Sequence, residues 1–162
     1  MSLRPILLWP DPRLAQACAP VDSPDPALIA DLLDTMYHAG GRGLAAPQVG
    51  VLRRVFVVDV TWKEGPPTPC AFVNPVVIDE SRDDLRSLDE QCLSIPDLPM
   101  PVLRPHRIAL RWQSPDGAAM TADFEGIAAR CILHELDHLD GRVILDHQAP
   151  DRRAELDAAH AG

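Results

Sequence analysis

The sequence predicts a single domain that mixes helices with strands, on three observations. Apolar residues recur at helical spacing after Asp25-Pro26, β-branched residues run together at 54–60, and helical spacing returns from 125 to about 139. A chain of 162 residues can bury one core of ordinary size without covalent staples.

Asp25-Pro26-Ala27 is a helix start with proline in the first turn. Ile29, Leu32, Leu33, Met36 and Tyr37 follow on one face, and Gly40-Gly41 ends the segment. The loop GRGLAAPQVG (41–50) leads into 54–60, a strand buried on both faces whose expected partner is 71–78. A polar stretch, ESRDDLRSLDE, comes next. QCLSIP and PDLPMP follow it, and their prolines exclude helix and predict an irregular wall of a site. Segments 107–112 and 120–124 flank Ser114-Pro115-Asp116-Gly117 as a hairpin. From 125 onward Ile127, Cys131, Ile132 and Leu136 return to helical spacing, and Gly141 ends it. After Pro150, DRRAELDAA predicts a short surface helix over about 150–162.

The formal net charge of −9, with no cluster of Lys and Arg, argues against direct nucleic-acid binding. The opening MSLRPILLWPDPRL reads as neither a secretory leader nor a membrane span, so a cytoplasmic protein with no membrane partner is expected. Cys18, Cys70, Cys92 and Cys131 are scattered and form no CxxC pair, which favours metal binding or burial over disulfides.

The chemistry concentrates in HELDH (134–138). On a helix His134 and His138 share one face and can offer two ring nitrogens to one ion, a spacing that zinc hydrolases use. Glu135 beside them can take a proton from an activated water and pass it to a leaving group. A catalytic site needs a third protein ligand. His147 is conceivable, but the metzincin spacing HExxHxxGxxH fails because Ile144 stands where its last His belongs. Upstream, Cys92 in EQCLSIP offers a thiolate, a good ligand for such a metal.

Three ordered segments, GRGLAAPQ (41–48), EQCLS (90–94) and LHELDHLDG (133–141), together resemble peptide deformylase. PDPRL (10–14), FVNPVV (72–77) and SIP (94–96) extend the likeness over nearly the whole chain. The resemblance implies an α+β fold, with antiparallel and mixed sheets packed around a central helix carrying HExxH, as one catalytic domain over 1–162. It implies removal of formyl from the N-terminal formyl-methionine of nascent peptides, presented at the ribosome, by a monomer. The implied ligands are Cys92, His134 and His138, with Glu135 as general base and acid. The Gln48 side chain and the Leu93 backbone N–H would serve the oxyanion. One divalent ion is implied, Fe(2+) first, while a thiolate with two imidazoles also suits Zn(2+), Ni(2+) or Co(2+).

The same likeness implies that Gly41 and Gly43 let backbone approach an extended peptide. Arg42 borders the substrate cleft, where its charge could select peptides with an acidic residue or extend into solvent, the latter being expected. Ile127 and Cys131 are expected to line the methionine pocket, and Arg104 and Asp137 to orient the ligands. His38, His106, His147 and His160 read as surface residues. Gln91 replaces the glycine of the family's EGCLS, where it would strain the loop if positive φ were required, or crowd the peptide. A deformylase-like metal-binding protein with weak or lost turnover is therefore the alternative, and a general metallopeptidase a third reading.

Overall fold

Asp25 opens helix α1 (Pro26–His38), its carboxylate accepting the backbone N–H of Ala27 at 3.1 Å and of Leu28 at 3.3 Å. Gly40, at φ +74°, ends it as the sequence predicts. The computed structural model describes residues 2–161. After α1 come β1 (Gly43–Ala45), β2 (Val55–Val58), β3 (Cys70–Glu80), β4 (Leu85–Cys92), β5 (Ile95–Pro105), β6 (Arg107–Gln113) and β7 (Ala119–Glu125). Helices α2 (Gly126–Leu139) and α3 (Pro150–Ala161) close the order. Short 3-10 turns occupy Pro12–Ala15, Ala46–Val49 and Ile144–His147.

The fold is α+β. One sheet has the order β1-β2-β3-β6-β7, β4 and β5 form a separate ribbon, and every pair of named strands is antiparallel. Parallel pairing occurs at the isolated bridge Ala19–Arg53.

Strand β2 explains why its sequence is apolar at consecutive positions. Val55 and Val57 pack with Leu28, Leu32 and Met36 of α1, while Phe56 and Val58 pack with Phe72, Leu110 and Ile132, the last from α2. The sheet is thus covered by a helix on each face, and each such apolar side chain contributes about 1.5–3 kcal/mol by leaving water. Beyond Val58, buried Asp59 turns the chain. Its carboxylate accepts the Tyr37 hydroxyl at 2.6 Å and the backbone N–H groups of Thr61 and Thr68 at 3.1 Å, which ends the strand short of residue 60.

Two expectations change. The proline-rich stretch is a strand rather than an irregular wall. Pro99, Pro101 and Pro105 fall at alternate positions of β5, while Met100, Val102 and Arg104 between them are buried. In a two-stranded ribbon every strand is an edge, so alternate N–H groups are dispensable and proline is tolerated there. The tail helix is also more than a surface helix. Leu156 is buried with Ile95, Met100, Val102 and Ile144, and the Trp9 indole N–H donates to Asp157 at 3.1 Å. All four cysteines are free thiols. Among the described residues no helix is long and apolar enough to cross a membrane.

Candidate metal centre and substrate cleft

Helix α2 lies against the sheet, so the face bearing His134, Glu135 and His138 is buried. Cys92 ends β4 opposite Ile95, just past a register irregularity after Glu90, and this bend aims its side chain at the helix. The ligand atoms of Cys92, His134 and His138 lie within 4.8 Å of one another, with the Cys92 sulfur 3.4 Å from His138 Nε2.

This donor set of one soft thiolate and two imidazoles fits a divalent ion, and Cys92 and His134 line the cleft through which a fourth, exchangeable ligand would enter. Burial disfavours a thiolate at Cys92, but the His138 charge and hydrogen bonds from both histidines outweigh it and hold the thiol well below its ordinary range. Burial also lifts the Glu135 carboxyl above its ordinary range, the histidine charges offsetting only part of that. Glu135 Oε1 has no hydrogen-bond partner among the described residues, as suits a carboxylate reserved for a bound reactant.

Behind the ligands stands an ionic network. His134 Nδ1 donates to Glu90 Oε1 at 2.8 Å, which leaves Nε2 with the lone pair a metal requires. Arg104 forks onto Glu90 at 2.7 and 2.9 Å and reaches Asp137 at 3.0 Å. Burial alone would raise the Glu90 pKa, yet the hydrogen bonds from His134 and Arg104 hold it at about 2. Arg104 therefore reaches His134 through Glu90, and Asp137 reaches it one step further back. Sequence reasoning quoted Glu90 within a motif without giving it a part. Its spacing from Cys92, two residues along a strand, was the available signal.

His147 is not a free surface residue. The 3-10 turn Ile144–His147 folds back and places its Nε2 2.8 Å from Asp137 Oδ2, away from the ligand cluster. His160 likewise bonds the Trp9 carbonyl, His106 is half-buried, and His38 is exposed as expected.

Gln48 is buried, and its amide is oriented by two contacts. Its Oε1 accepts the Ala45 backbone N–H at 3.0 Å, and its Nε2 donates to Ser94 Oγ at 3.0 Å while facing the Cys92 sulfur at 3.8 Å. A cleft of about 570 Å³ opens beside this group, lined among others by Gly43, Gln91, Leu93, Ile127 and Cys131. Strand β1 lies at the sheet margin, so its outer edge is unpaired. The Cys131 thiol is pushed up to about 12 by burial and by the charges of Glu135 and Glu90, so it stays neutral and packs rather than ligates.

The strain considered at Gln91 is not found, and the expectation for Arg42 changes. Gln91 lies within β4, and the described non-glycine residues with positive φ are Asn74 and Asp97, so Gln91 carries no left-handed strain. Arg42 does not extend freely into solvent. Its guanidinium bonds the Val60 carbonyl and forks onto Glu64, while the Trp62 indole donates to the neighbouring Gly41 carbonyl at 3.0 Å.

An α+β fold that brings HExxH on a buried helix against a thiolate on a separate ribbon defines a metal-dependent hydrolase. The sequence model of the polypeptide deformylase family matches residues 3–154, and the chain belongs to that family. It is 42% identical over 158 residues to a peptide deformylase of Phenylobacterium zucineum, covering 96% of this chain and 93% of that one. A peptide deformylase of Agrobacterium fabrum is 39% identical over 150 residues, covering 91% and 88%. The crystal structure of peptide deformylase from Ehrlichia chaffeensis in complex with actinonin superposes with a TM-score of 0.91 at 34% identity, covering 98% of this chain and 96% of that one.

Proposed function

We infer that this chain hydrolyses the formyl group from the N-terminal formyl-methionine of newly made polypeptides. The observation that carries this reading is the meeting of Cys92, His134 and His138 within 4.8 Å, with Glu135 and Gln48 beside them. Cys92 and the two histidines would hold one divalent ion, Fe(2+) first, with Zn(2+), Ni(2+) or Co(2+) suited to the same donors. When bound, the ion supplies Lewis-acid chemistry, acidifying a water and polarising a carbonyl.

The remaining work falls to the chain. Glu135 takes the proton of the attacking water and delivers it to the departing amine, a task that its raised pKa suits. As the formyl oxygen gains negative charge, the Gln48 amide and the Leu93 backbone N–H donate to it, each worth roughly 3 kcal/mol of barrier. The unpaired edge of β1 receives the peptide as an added strand. Ile127, Cys131 and Gln91 surround the methionine side chain, and Arg42 borders the peptide beyond it. Arg104 and Asp137, acting through Glu90, keep His134 turned toward the ion. These parts work as one catalytic domain over residues 1–162, a cytoplasmic monomer acting on nascent chains at the ribosome.

The reading in which Gln91 has cost the chain its turnover finds no support in backbone strain, since that position has none, and crowding of the peptide by this cleft-lining side chain is decided by the assay. The direct test incubates iron- or nickel-loaded protein with formyl-Met-Ala-Ser and with its unformylated counterpart, following formate and free amine. Formate release is expected. Its absence overturns the proposal, and cleavage of the peptide bond would restore the general metallopeptidase.

A further inference from the structure

Arg130 occupies the cleft-facing side of α2, one turn before His134, and its guanidinium ties together segments far apart in sequence. Nη1 donates to Glu90 Oε2 at 2.6 Å and to the Val102 carbonyl at 2.8 Å, while Nη2 donates to the Arg86 carbonyl at 2.6 Å. The Arg86 and Val102 carbonyls belong to β4 and β5, so one side chain grips both strands of the ribbon that presents Glu90 and Cys92. The Arg130 side chain is only 11% exposed, and Glu90 is 6% exposed.

Charge makes the clamp more than a local tie. Two carboxylates, Glu90 and Asp137, face two guanidiniums, Arg104 and Arg130, behind the ligands. Removing Arg130 leaves this buried group one positive charge short. Glu90 Oε2 then loses one of its two guanidinium donors, so the carboxylate that fixes His134 Nδ1–H is braced by Arg104 alone. Arg130 also lines the cleft alongside Ile127 and Cys131, and with its guanidinium turned onto the ribbon the methylene stem is the part left to face it.

We propose that Arg130 is a positioning residue with two separable parts. Its guanidinium locks the β4–β5 ribbon onto α2, so that Cys92 meets the two histidines and Glu90 keeps His134 aimed, and its stem walls the pocket for the first side chain of the substrate. The second part rests on the deformylase reading, whereas the first rests on the metal centre alone.

Three variants separate the parts. Arg130→Met keeps a stem without donors, Arg130→Ala removes both, and Arg130→Lys keeps the charge but loses the planar fork that reaches three acceptors. Each is checked for folding by circular dichroism. Each is then titrated with Ni(II) or Co(II) against a competing chelator, its cobalt absorption spectrum recorded, and its kcat and KM measured on formyl-Met-Ala-Ser. Arg130→Met should bind metal ~10- to 100-fold more weakly, shift the thiolate–cobalt band and lower kcat, with KM nearly unchanged. Arg130→Ala should show the same loss of affinity together with a KM raised about tenfold. Arg130→Lys should recover part of the affinity.

A folded Arg130→Met with wild-type affinity, spectrum and kcat overturns the clamp. Should that variant fail to fold, Arg130→Lys decides, because wild-type affinity there would show the fork to be dispensable. Equal KM values for the Met and Ala variants overturn the pocket wall. Metal affinity is read without any substrate, so a wild-type protein that binds metal yet releases no formate would refute the proposed function and leave the clamp to be judged on its own result.

Discussion

The Glu135 carboxylate occupies the space where a side chain at Gly43 would begin: a β-carbon built there would lie 2.5 Å from Oε2 and 2.9 Å from Cδ. Glycine at 43 is thus required by the base on α2 rather than by backbone conformation. Gly43→Ala should push Glu135 off its position and lower kcat roughly 100-fold, the usual cost of misplacing a reacting group by about 1 Å. Metal content should stay at wild-type level, because the three atoms nearest to a β-carbon at 43 all belong to Glu135. Steady-state kinetics with elemental analysis checks both halves, and undiminished kcat would contradict the contact.

Glu135→Gln probes the same group chemically. The amide keeps the size of the side chain but cannot accept and carry the proton, so metal should remain while hydrolysis falls by at least ~100-fold. Cys92→Ala, in contrast, should purify with little metal. Substantial turnover by the Gln variant would remove Glu135 from its assigned part.

What could be read from the chain, and what could not, follows from distance along it. HELDH declares itself because two ligands and the base fall on one helix, where the spacing alone shows the shared face. Cys92 stands 46 residues before His138, and only the likeness of EQCLS to a known motif joined them. Strand β4 escaped notice because its inward side carries Glu90, which meets charged partners instead of an apolar core, so no alternation of polarity marks it. Arg130 was invisible for a related reason. Its acceptors lie 28, 40 and 44 residues away, and two of them are backbone carbonyls that no side-chain pattern reports.

Glu90 should leave a signature in acid. Its carboxyl sits at about 2 in the folded chain against an ordinary 4.5, because hydrogen bonds from His134 and Arg104 overcome the effect of burial. A folded pKa below the unfolded one means the unfolded state binds the proton first. The stabilisation is therefore complete above about 4.5 and drains away as pH falls toward 2. Between pH 7 and pH 3 the metal-free wild type should lose about 2 kcal/mol more than Glu90→Gln does. Urea melts of both proteins at the two pH values give the comparison, and parallel losses would show that Glu90 is not held in this way.

Arg42 makes a prediction of small effect. Its guanidinium already serves Glu64 and the Val60 carbonyl, so little charge is left for a substrate, and an exposed pair of this kind contributes little to stability. Arg42→Ala should change KM for formyl-Met-Asp-Ser no more than for formyl-Met-Ala-Ser, within about twofold for each. A selective loss on the acidic peptide would show that Arg42 leaves Glu64 to meet substrate.

The last helix ties the tail to the metal centre through Leu156, which is 3% exposed in the cluster that also holds Cys92, Ile95, Met100 and Val102. Cutting it back to alanine removes three carbons from that packing and leaves a cavity that the ribbon and the Ile144–His147 turn can close only in part. Leu156→Ala should cost about 3 kcal/mol and lower Tm by about 10 °C. Leu156→Met, of similar volume, should cost under ~1.5 kcal/mol. Glu155→Ala, one residue away on the solvent side, breaks only an exposed pair with Arg152 and should leave Tm nearly unchanged. Thermal melts of the three variants rank them, and equal Tm values for Leu156→Ala and Glu155→Ala would mean that α3 does not dock on the ribbon in solution.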